Sequence, residues 1–271
     1  GHKTMQLYHH PFSLESQRVR LALEERGIDY TAFRVNPITG KNMDSSFFRM
    51  SPGAKLPVFQ NGSHVIFDTI EIIQYIERIA LVSSGGRDTV YIGGQVTEWM
   101  KKIQGWNHTF FSLFHMPEKR RMFISRFQRR VIIARMAESP DLAGLYHCKL
   151  REAHEMEEMV RDANVLRQNK EQLLRILDEV EAKLNQTPYL GGEEFSMADV
   201  VLIPVLARLA LLKLQDEYIL GRPSIAEYWS LVQRRPSYKV VVGRYFNGWR
   251  KYTTLAKTWF FLHVRNALKS Y

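Results

Sequence analysis

The stretch Ser51-Pro52-Gly53-Ala54-Lys55-Leu56-Pro57-Val58 decides how this chain folds. Pro57 stands where a turn-rich segment meets an apolar run, a position typical of a strand-start proline or of a cis peptide bond. The apolar run ends at Asn61-Gly62, which is a strong signal for a two-residue hairpin. We therefore interpret residues 56–60 and 64–67 as two antiparallel strands that follow a proline loop.

The segments on either side of this loop predict an α/β unit. They read as a strand at 5–8, a helix that Ser13 caps and that ends near Glu25, a strand at 30–35 and a helix at 69–80. The resulting order of strands and helices, β-α-β-(α)-β-β-α, is typical of a thioredoxin-like domain. We place this domain at residues 5–82.

The rest of the chain is predicted to be almost entirely helical. After a glycine-rich linker, residues 95–246 form an all-α domain, in which 95–114 is interpreted as one helix and 141–185 as two. The basic stretch 119–135 is longer than a usual connection between helices and is interpreted as an insertion. Ser196-Met197-Ala198-Asp199 is a capping box before an apolar run, which assigns Ser196 and Asp199 to folding rather than to chemistry.

Composition limits the class of protein and its compartment. Of the 271 residues, 45% are hydrophobic, and no run reaches the roughly 18 apolar residues of a membrane span. Cys148 is the single cysteine, so no intramolecular disulfide can form, and we interpret it as a small buried hydrophobe. No secretion signal is visible, which favours a cytoplasmic location.

The net charge of +10 is concentrated at the C-terminal end. From Tyr228 to Tyr271 there is no Asp or Glu, and nine residues are Lys or Arg. On a helical wheel, residues 247–271 place most aromatic side chains on one half and the basic ones on the other. Two interpretations remain open: peripheral binding of 244–271 to an anionic membrane surface such as the plasma membrane, or packing on the helical domain. No nucleic-acid motif is present, and no nucleic-acid partner is expected.

Taken together, these motifs resemble the serine-type glutathione transferases. In the phi, tau and zeta classes a serine follows the first strand a few residues before an arginine, as Ser13 precedes Arg18 here. The loop 51–57 is similar to the cis-proline loop of the family, and the segment 68–76 to the start of its third helix. The nearest class is the plant tetrachlorohydroquinone-dehalogenase-like transferases. The resemblance implies the glutathione transferase fold, with an insertion between the family's fourth and fifth helices and a C-terminal extension.

The resemblance also implies where glutathione binds. Ser13 would hold the sulfur, Lys55 would face the glycyl carboxylate, and the backbone of Leu56 before cis-Pro57 would pair with the cysteinyl part. Two further residues, Asp68 and Thr69, would grip the γ-glutamyl end. Ser16 is an alternative to Ser13, and Lys41 and Asn42 are weaker candidates for the glycyl end. The structural alternatives are a helix cap at Ser13 and at Asp68, a strand-start proline and a solvated lysine.

The chemistry explains why a serine at this place suits a thiol. A thiol with a pKa near 8.5 is only a few per cent ionised at neutral pH. Ser13 opens a helix, where the backbone N–H groups and the helix dipole favour an anion, and its hydroxyl can donate to the sulfur.

The resemblance leads to two hypotheses about function. The first is an enzyme that conjugates glutathione, as co-substrate, to small electrophiles, with peroxide reduction as a related activity. The second is a membrane-associated binding or adaptor protein with weak or no catalysis. No cysteine follows Ser13, where the zeta class and the dehalogenases carry one, and the corresponding residue is Glu15. Dehalogenation through a mixed disulfide therefore does not transfer. A homodimer is a further expectation, and no metal is implied.

Overall fold

The computed structural model describes residues 5–37, 40–83, 85 and 93–245. The first part is a four-stranded sheet in the order β2-β1-β3-β4. The first two strands pair in parallel, and the other two pairs are antiparallel. The strands are β1 (Met5–His9), β2 (Thr31–Arg34), β3 (Val58–Asn61) and β4 (His64–Ile66). This mixed sheet confirms the thioredoxin-like prediction.

Three α-helices accompany the sheet, and their ends follow local signals. Ser13 caps the first of them, and Gly27 follows its end with a φ of 62°, the left-handed region in which glycine carries no Cβ penalty. The peptide bond between Leu56 and Pro57 is cis, as the resemblance of this loop implies. The helices are α1 (Leu14–Glu25), α2 (Ser45–Met50) and α3 (Thr69–Ser83), with a 3₁₀ turn at Lys41–Met43 before α2.

The second part is all-helical in the described residues. Its helices are α4 (Gly94–Gln104), α5 (His108–Phe114), α6 (Glu118–Glu138), α7 (Ala143–Met159), α8 (Ala163–Leu184), α9 (Met197–Leu211), α10 (Gln215–Tyr218), α11 (Pro223–Val232) and α12 (Pro236–Tyr238). A 3₁₀ turn at Pro140–Leu142 joins α6 to α7, and a π-helical turn at Lys239–Gly243 follows α12. The two helices expected within 141–185 are α7 and α8.

Two expectations need correction, and a third gains detail. The segment 95–114 is two helices, because the chain leaves the helix at Gly105 and Asn107 caps a new one by accepting from the Phe110 N–H at 3.0 Å. The basic stretch 119–135, interpreted as an insertion, lies within the 21-residue helix α6. Cys148 is exposed on α7 and is not a buried hydrophobe.

One hydrophobic core joins the sheet part to the helical part. It contains Leu7 of β1 and Val19 of α1 together with Trp99 of α4 and Val200 of α9. The helix α9 is the centre of this core, because nearly every residue from Met197 to Ala210 is buried. The first helix of the sheet domain therefore packs directly on the second domain, and the start of α1 faces the seam between them.

No helix in the described part of the chain is long and apolar enough to cross a membrane. The predicted amphipathic segment 247–271 lies outside the described residues.

Candidate active site between the two domains

Ser13 lies directly after β1, at the N-terminus of α1. Its extended backbone and its Oγ, which accepts from the Ser16 N–H at 3.2 Å, make it the helix cap. The side chain is half-buried. An oxygen that accepts from a backbone N–H still carries its own O–H, and no acceptor for that hydrogen is found among the described residues. Capping and donation to a ligand are therefore compatible roles for one hydroxyl.

The alternative, Ser16, faces inward. It is fully buried, and its Oγ accepts from the backbone N–H of His10 at 3.3 Å. Gln17 holds the same turn from the other side by donating to the Pro11 carbonyl at 2.9 Å. These contacts fix the turn that carries Ser13 and leave Ser16 without access to a ligand.

Two neutral histidines precede Ser13. Burial lowers the pKa of His9 to about 3, with help from the charges of Arg20 and Arg34. Burial and Arg34 likewise lower the pKa of His10 to about 4. Both imidazoles are therefore uncharged at neutral pH, and the positive charge near Ser13 comes from arginines.

A buried polar network lies one turn into α1. Glu15 receives hydrogen bonds at 2.9 Å from Arg18 and Gln104, and its Oε1 lies 2.9 Å from His108 Nε2. The fully buried Arg18 also donates to the Val201 carbonyl at 2.9 Å. Burial disfavours the Glu15 carboxylate, but Arg18 and these donors outweigh burial and hold the pKa of Glu15 well below its usual range. The network ties α1 to α4, α5 and α9 across the domain seam.

Arg208 of α9 adds a second cation beside Ser13. Its guanidinium donates to the backbone carbonyl of Phe12 at 2.5 Å and to Ser112 Oγ at 3.0 Å. Burial, and then repulsion by Arg18, lower its pKa to about 10, so Arg208 remains protonated at neutral pH. Two arginines and one carboxylate, that of Glu15, leave the start of α1 with a net positive charge, which favours an anion there.

The sheet register brings the predicted site residues to one edge. Tyr8 pairs with Val58, so Ser13 after β1 and Pro57 before β3 leave the sheet at the same end. β4 runs antiparallel to β3 and ends at that edge, where Asp68 follows it. Three segments that are far apart in sequence thus meet at one edge of the sheet.

The predicted glutathione contacts differ in how accessible they are. Lys55 is exposed, and the cis bond from Leu56 to Pro57 leads directly into β3. Asp68 is exposed and caps α3, because its Oδ2 accepts from the Glu71 N–H at 3.0 Å. Thr69, at the first position of α3, is buried. Asp68 is therefore a helix cap, which was the structural alternative to glutathione binding. Its second carboxylate oxygen remains open to solvent.

The two weaker candidates for the glycyl end, Lys41 and Asn42, differ in exposure. Lys41 is exposed, with its ammonium 4.0 Å from Asp44, and can face solvent or a ligand. Asn42 is buried, and its Nδ2 donates to the Ala54 carbonyl at 2.9 Å. Asn42 therefore ties the segment before α2 to the proline loop instead of standing free in the site.

The α6–α7 hairpin (residues 118–159) packs on this same region. Phe48 of α2 stacks on Tyr146 of α7 with ring centroids 4.6 Å apart and planes within 2°, and Ala54 of the proline loop belongs to the same cluster. Arg135 of α6 forms an ion pair with Asp44 at 2.7 Å. The hairpin thus packs against α2 and the proline loop. Local sequence signals do not show this long-range contact.

Close approach of the hairpin also explains a glycine. Gly40 has a φ of 76°, and a Cβ there would lie 2.6 Å from a methyl carbon of Val131 on α6. A surface ion pair at 2.7 Å also joins Arg49 of α2 to Asp141 in the turn between α6 and α7.

Comparison with known proteins identifies the family that has this architecture. Residues 7–81 match the family model for the glutathione S-transferase N-terminal domain, and residues 162–229 match that for its C-terminal domain. Glutathione S-transferase TCHQD of Arabidopsis thaliana is 65% identical over 267 residues, which cover 98% of this chain and 100% of that protein. The chain belongs to the glutathione S-transferase family. The predicted tetrachlorohydroquinone-dehalogenase-like class and the assignment as a glutathione transferase are both confirmed.

More distant relatives agree with this. Tetrachloro-p-hydroquinone reductive dehalogenase of Sphingobium chlorophenolicum is 25% identical, over 86% of this transferase and 93% of that protein. The crystal structure of poplar glutathione transferase F1 superposes with a TM-score of 0.64 at 18% identity, covering 91% and 100% of the two chains. The latter likeness shows that the fold is shared.

Several residues of the candidate site were not predicted from the sequence. Glu15 was treated only as the position of an absent cysteine, and Arg208, Gln104 and the contact that His108 makes were not singled out. An arginine inside the apolar run 200–214 was the one available signal for Arg208. Within the described residues, no group of three or more His, Cys, Asp or Glu side chains could hold a metal ion.

Proposed function

We propose that this transferase conjugates glutathione to small electrophiles and that Ser13 stabilises the thiolate. The observation that supports this proposal most directly is the geometry of the Ser13 hydroxyl. Its oxygen caps α1, and its hydrogen remains available to a ligand. The N-terminus of α1 and the nearby cation Arg208 favour the ionised form of a thiol placed there. The nucleophile is the sulfur of glutathione, and the protein lowers its pKa.

The rest of glutathione would lie along the sheet edge. We assign the backbone of Leu56 before Pro57 to the cysteinyl part, in the manner of strand pairing. The exposed Lys55 would face the glycyl carboxylate. At the γ-glutamyl end, the open oxygen of Asp68 suits the ammonium group, and Thr69 with the N-terminus of α3 suits the carboxylate.

The electrophile would enter from the domain seam. A shallow depression beside the turn that carries Ser13 has a cavity volume of only about 10 Å³, so an electrophile would lie over it and not inside it. It is lined by Phe12, Gln17, Ala207, Arg208, Leu211, Val242 and Tyr245. Tyr245 accepts a hydrogen bond from Arg34 at 2.7 Å and packs edge-on against Phe12 with ring centroids 6.0 Å apart. Apolar and aromatic walls with a single cation suit a small aromatic electrophile that develops negative charge during attack.

Calorimetric titration with glutathione and a conjugation assay with 1-chloro-2,4-dinitrobenzene test this function directly. We expect one site with a Kd between roughly micromolar and millimolar, and turnover that rises with pH as the bound thiol ionises. The same assay with an organic hydroperoxide would measure peroxide reduction. Absence of glutathione binding would refute the proposal and favour the non-catalytic adaptor.

We propose further that the α6–α7 hairpin positions the glutathione loop. Replacing Arg135 by glutamine removes the ion pair to Asp44, which lies just before α2. A pair worth about 1 kcal/mol predicts a roughly fivefold increase in KM for glutathione at unchanged kcat. Faster amide hydrogen exchange confined to residues 41–54 would accompany it, as measured by mass spectrometry.

Arg130→Gln is the matched control for this experiment. Arg130 lies on the same helix, is exposed and loses the same charge on substitution. Its KM and exchange pattern should stay within error of the wild type. Equal effects of the two substitutions, or a fall in kcat alone for Arg135→Gln, would contradict a positioning role.

The remaining proposals concern cellular location, domain limits, oligomeric state and membrane contact. We propose a cytoplasmic enzyme with domain limits at 5–82, 95–246 and 247–271, which assembles as a homodimer. The basic extension 244–271 supports peripheral contact with an anionic membrane through its charge. The contacts of Tyr245 with Arg34 and Phe12 instead support packing of the first residues of this extension on the protein itself.

A further inference from the structure

A cleft opens on the face of the α6–α7 hairpin around Ser125, a face that shares no residue with the hairpin's contacts to the glutathione loop. Its cavity volume is about 100 Å³, and its walls come from the first three turns of α6 and from the end of α7 with the residues that follow it. The lining residues are Glu118, Arg121, Met122, Ser125, Arg126, Arg129, Glu157, Val160 and Arg161. Arginines from two separate segments of the chain therefore line one concave surface.

The charges of this cleft are not balanced internally. Glu157 forms an ion pair with Arg129 at 3.3 Å and accepts a hydrogen bond from the hydroxyl of Ser125. Arg121, Arg126 and Arg161 form no ion pair with any residue in the described part of the chain. Glu118 is the second carboxylate of the lining, so a positive excess remains.

The opposite end of α6 shows the contrast. There Arg135 is paired with both Asp44 and Glu138, at 2.7 and 3.2 Å. The same helix thus neutralises Arg135 where it packs on the sheet domain, whereas around the cleft only Arg129 is paired and Arg121 and Arg126 have no ion pair among the described residues. Like charges held together in a concave site raise the local potential and favour binding of an anion.

We propose that this cleft is a binding site for a phosphate-bearing ligand. Guanidinium groups bind phosphate oxygens in a bidentate geometry, and three of them can neutralise a group that carries two negative charges. The Ser125 hydroxyl donates to Glu157, so the further contribution comes from the first turn of α6, whose N–H groups favour anions. The phosphate could belong to a soluble metabolite or to a phospholipid headgroup, because both present the same chemistry.

Two probes separate these sources in the full-length protein. Inorganic pyrophosphate is titrated by calorimetry, and vesicles of phosphatidylcholine with and without phosphatidylinositol 4-phosphate are tested by co-sedimentation, both at about 0.1 M salt. The test variant is Arg121→Gln/Arg126→Gln/Arg161→Gln. The matched control is Lys119→Gln/Arg130→Gln/Arg151→Gln, which removes the same charge from exposed positions outside the cleft lining.

The cleft variant should weaken binding of pyrophosphate, of the phosphoinositide vesicles, or of both, at least about tenfold, and the control variant less than about twofold. Loss in the pyrophosphate titration assigns a soluble ligand, and loss with vesicles alone assigns a headgroup. Equal weakening by both variants, or no binding of either probe to the wild type, would overturn the proposal. Unchanged glutathione binding and circular dichroism would show that the variants are folded, so this test is independent of the transferase site.

Discussion

Replacing Ser13 by alanine should lower kcat/KM for glutathione conjugation about 100-fold, which is typical for the loss of one donor to a developing or bound anion. The variant loses the hydroxyl that is free to donate to sulfur, so the thiol pKa rises and less thiolate is present at neutral pH. The deficit should shrink as the pH is raised from 6.5 to 9. Steady-state rates over this range, with glutathione affinity from calorimetry, are the measurement.

Two further substitutions separate the cap from the chemistry. Ser13→Asp keeps an oxygen that can accept from the Ser16 N–H, so α1 should stay capped while the added charge repels a thiolate. Ser13→Thr keeps a hydroxyl and should retain most of the activity. Urea unfolding should place the aspartate and threonine variants near the wild type and the alanine variant about 1 kcal/mol below it. An alanine variant with more than about a third of the wild-type rate would refute the role of Ser13.

Replacing Asp199 by alanine should cost about 3 kcal/mol or more of the free energy of unfolding. The carboxylate is fully buried and accepts from Leu190 N–H at 3.1 Å, Ser196 N–H at 2.9 Å and Tyr228 Oη–H at 2.7 Å. Alanine leaves three buried donors without a partner, each worth roughly 1–3 kcal/mol. Urea unfolding followed by tryptophan fluorescence measures the loss, which should exceed that of any Ser13 variant.

The same variant carries a pH signature. Burial raises the pKa of Asp199 to about 6, although its hydrogen bonds oppose this shift. A carboxyl whose folded pKa exceeds its unfolded value stabilises the fold most at low pH, and that contribution is lost as the pH rises through 6. The difference between wild type and Asp199→Ala should therefore be larger at pH 4.5 than at pH 7.

Asp178→Ala is the control for charge alone. Asp178 is an exposed carboxylate that pairs with Arg222 at 2.9 Å on the surface, and its loss should cost less than about 1 kcal/mol. A similar cost for both aspartates would contradict the view that the capping box is a structural centre of the helical domain.

The parts of the site that were predicted from the sequence rest on local signals. The cap at Ser13, the proline before β3 and the capping box at Ser196 each depend on a few adjacent residues, and the family resemblance ordered them into one fold. The break at Gly105 was also within reach, because glycine followed two residues later by a capping asparagine is a local signal. It was overlooked because the aromatic residues on either side continue the pattern of a helix.

The parts that could not be predicted depend on contacts between distant segments. Arg208 reaches the carbonyl of Phe12 over 196 positions of sequence, and Phe48 meets Tyr146 only because the hairpin folds back on α2. The apolar run around Arg208 marks it as an unusual position for a charge, but the sequence does not show which distant group the guanidinium contacts. Cys148 was misjudged for the same reason, since its helix turns that face to solvent.

The shared core has a consequence for how this protein can be divided. Leu7 and Val19 belong to the same cluster as Trp99 and Val200, and Arg18 adds hydrogen bonds across the seam. Because this cluster draws on both halves, we expect a single unfolding transition in calorimetry for the whole chain. A chimera that exchanges either half for that of another transferase must therefore carry the matching faces of α1 and α9 with it.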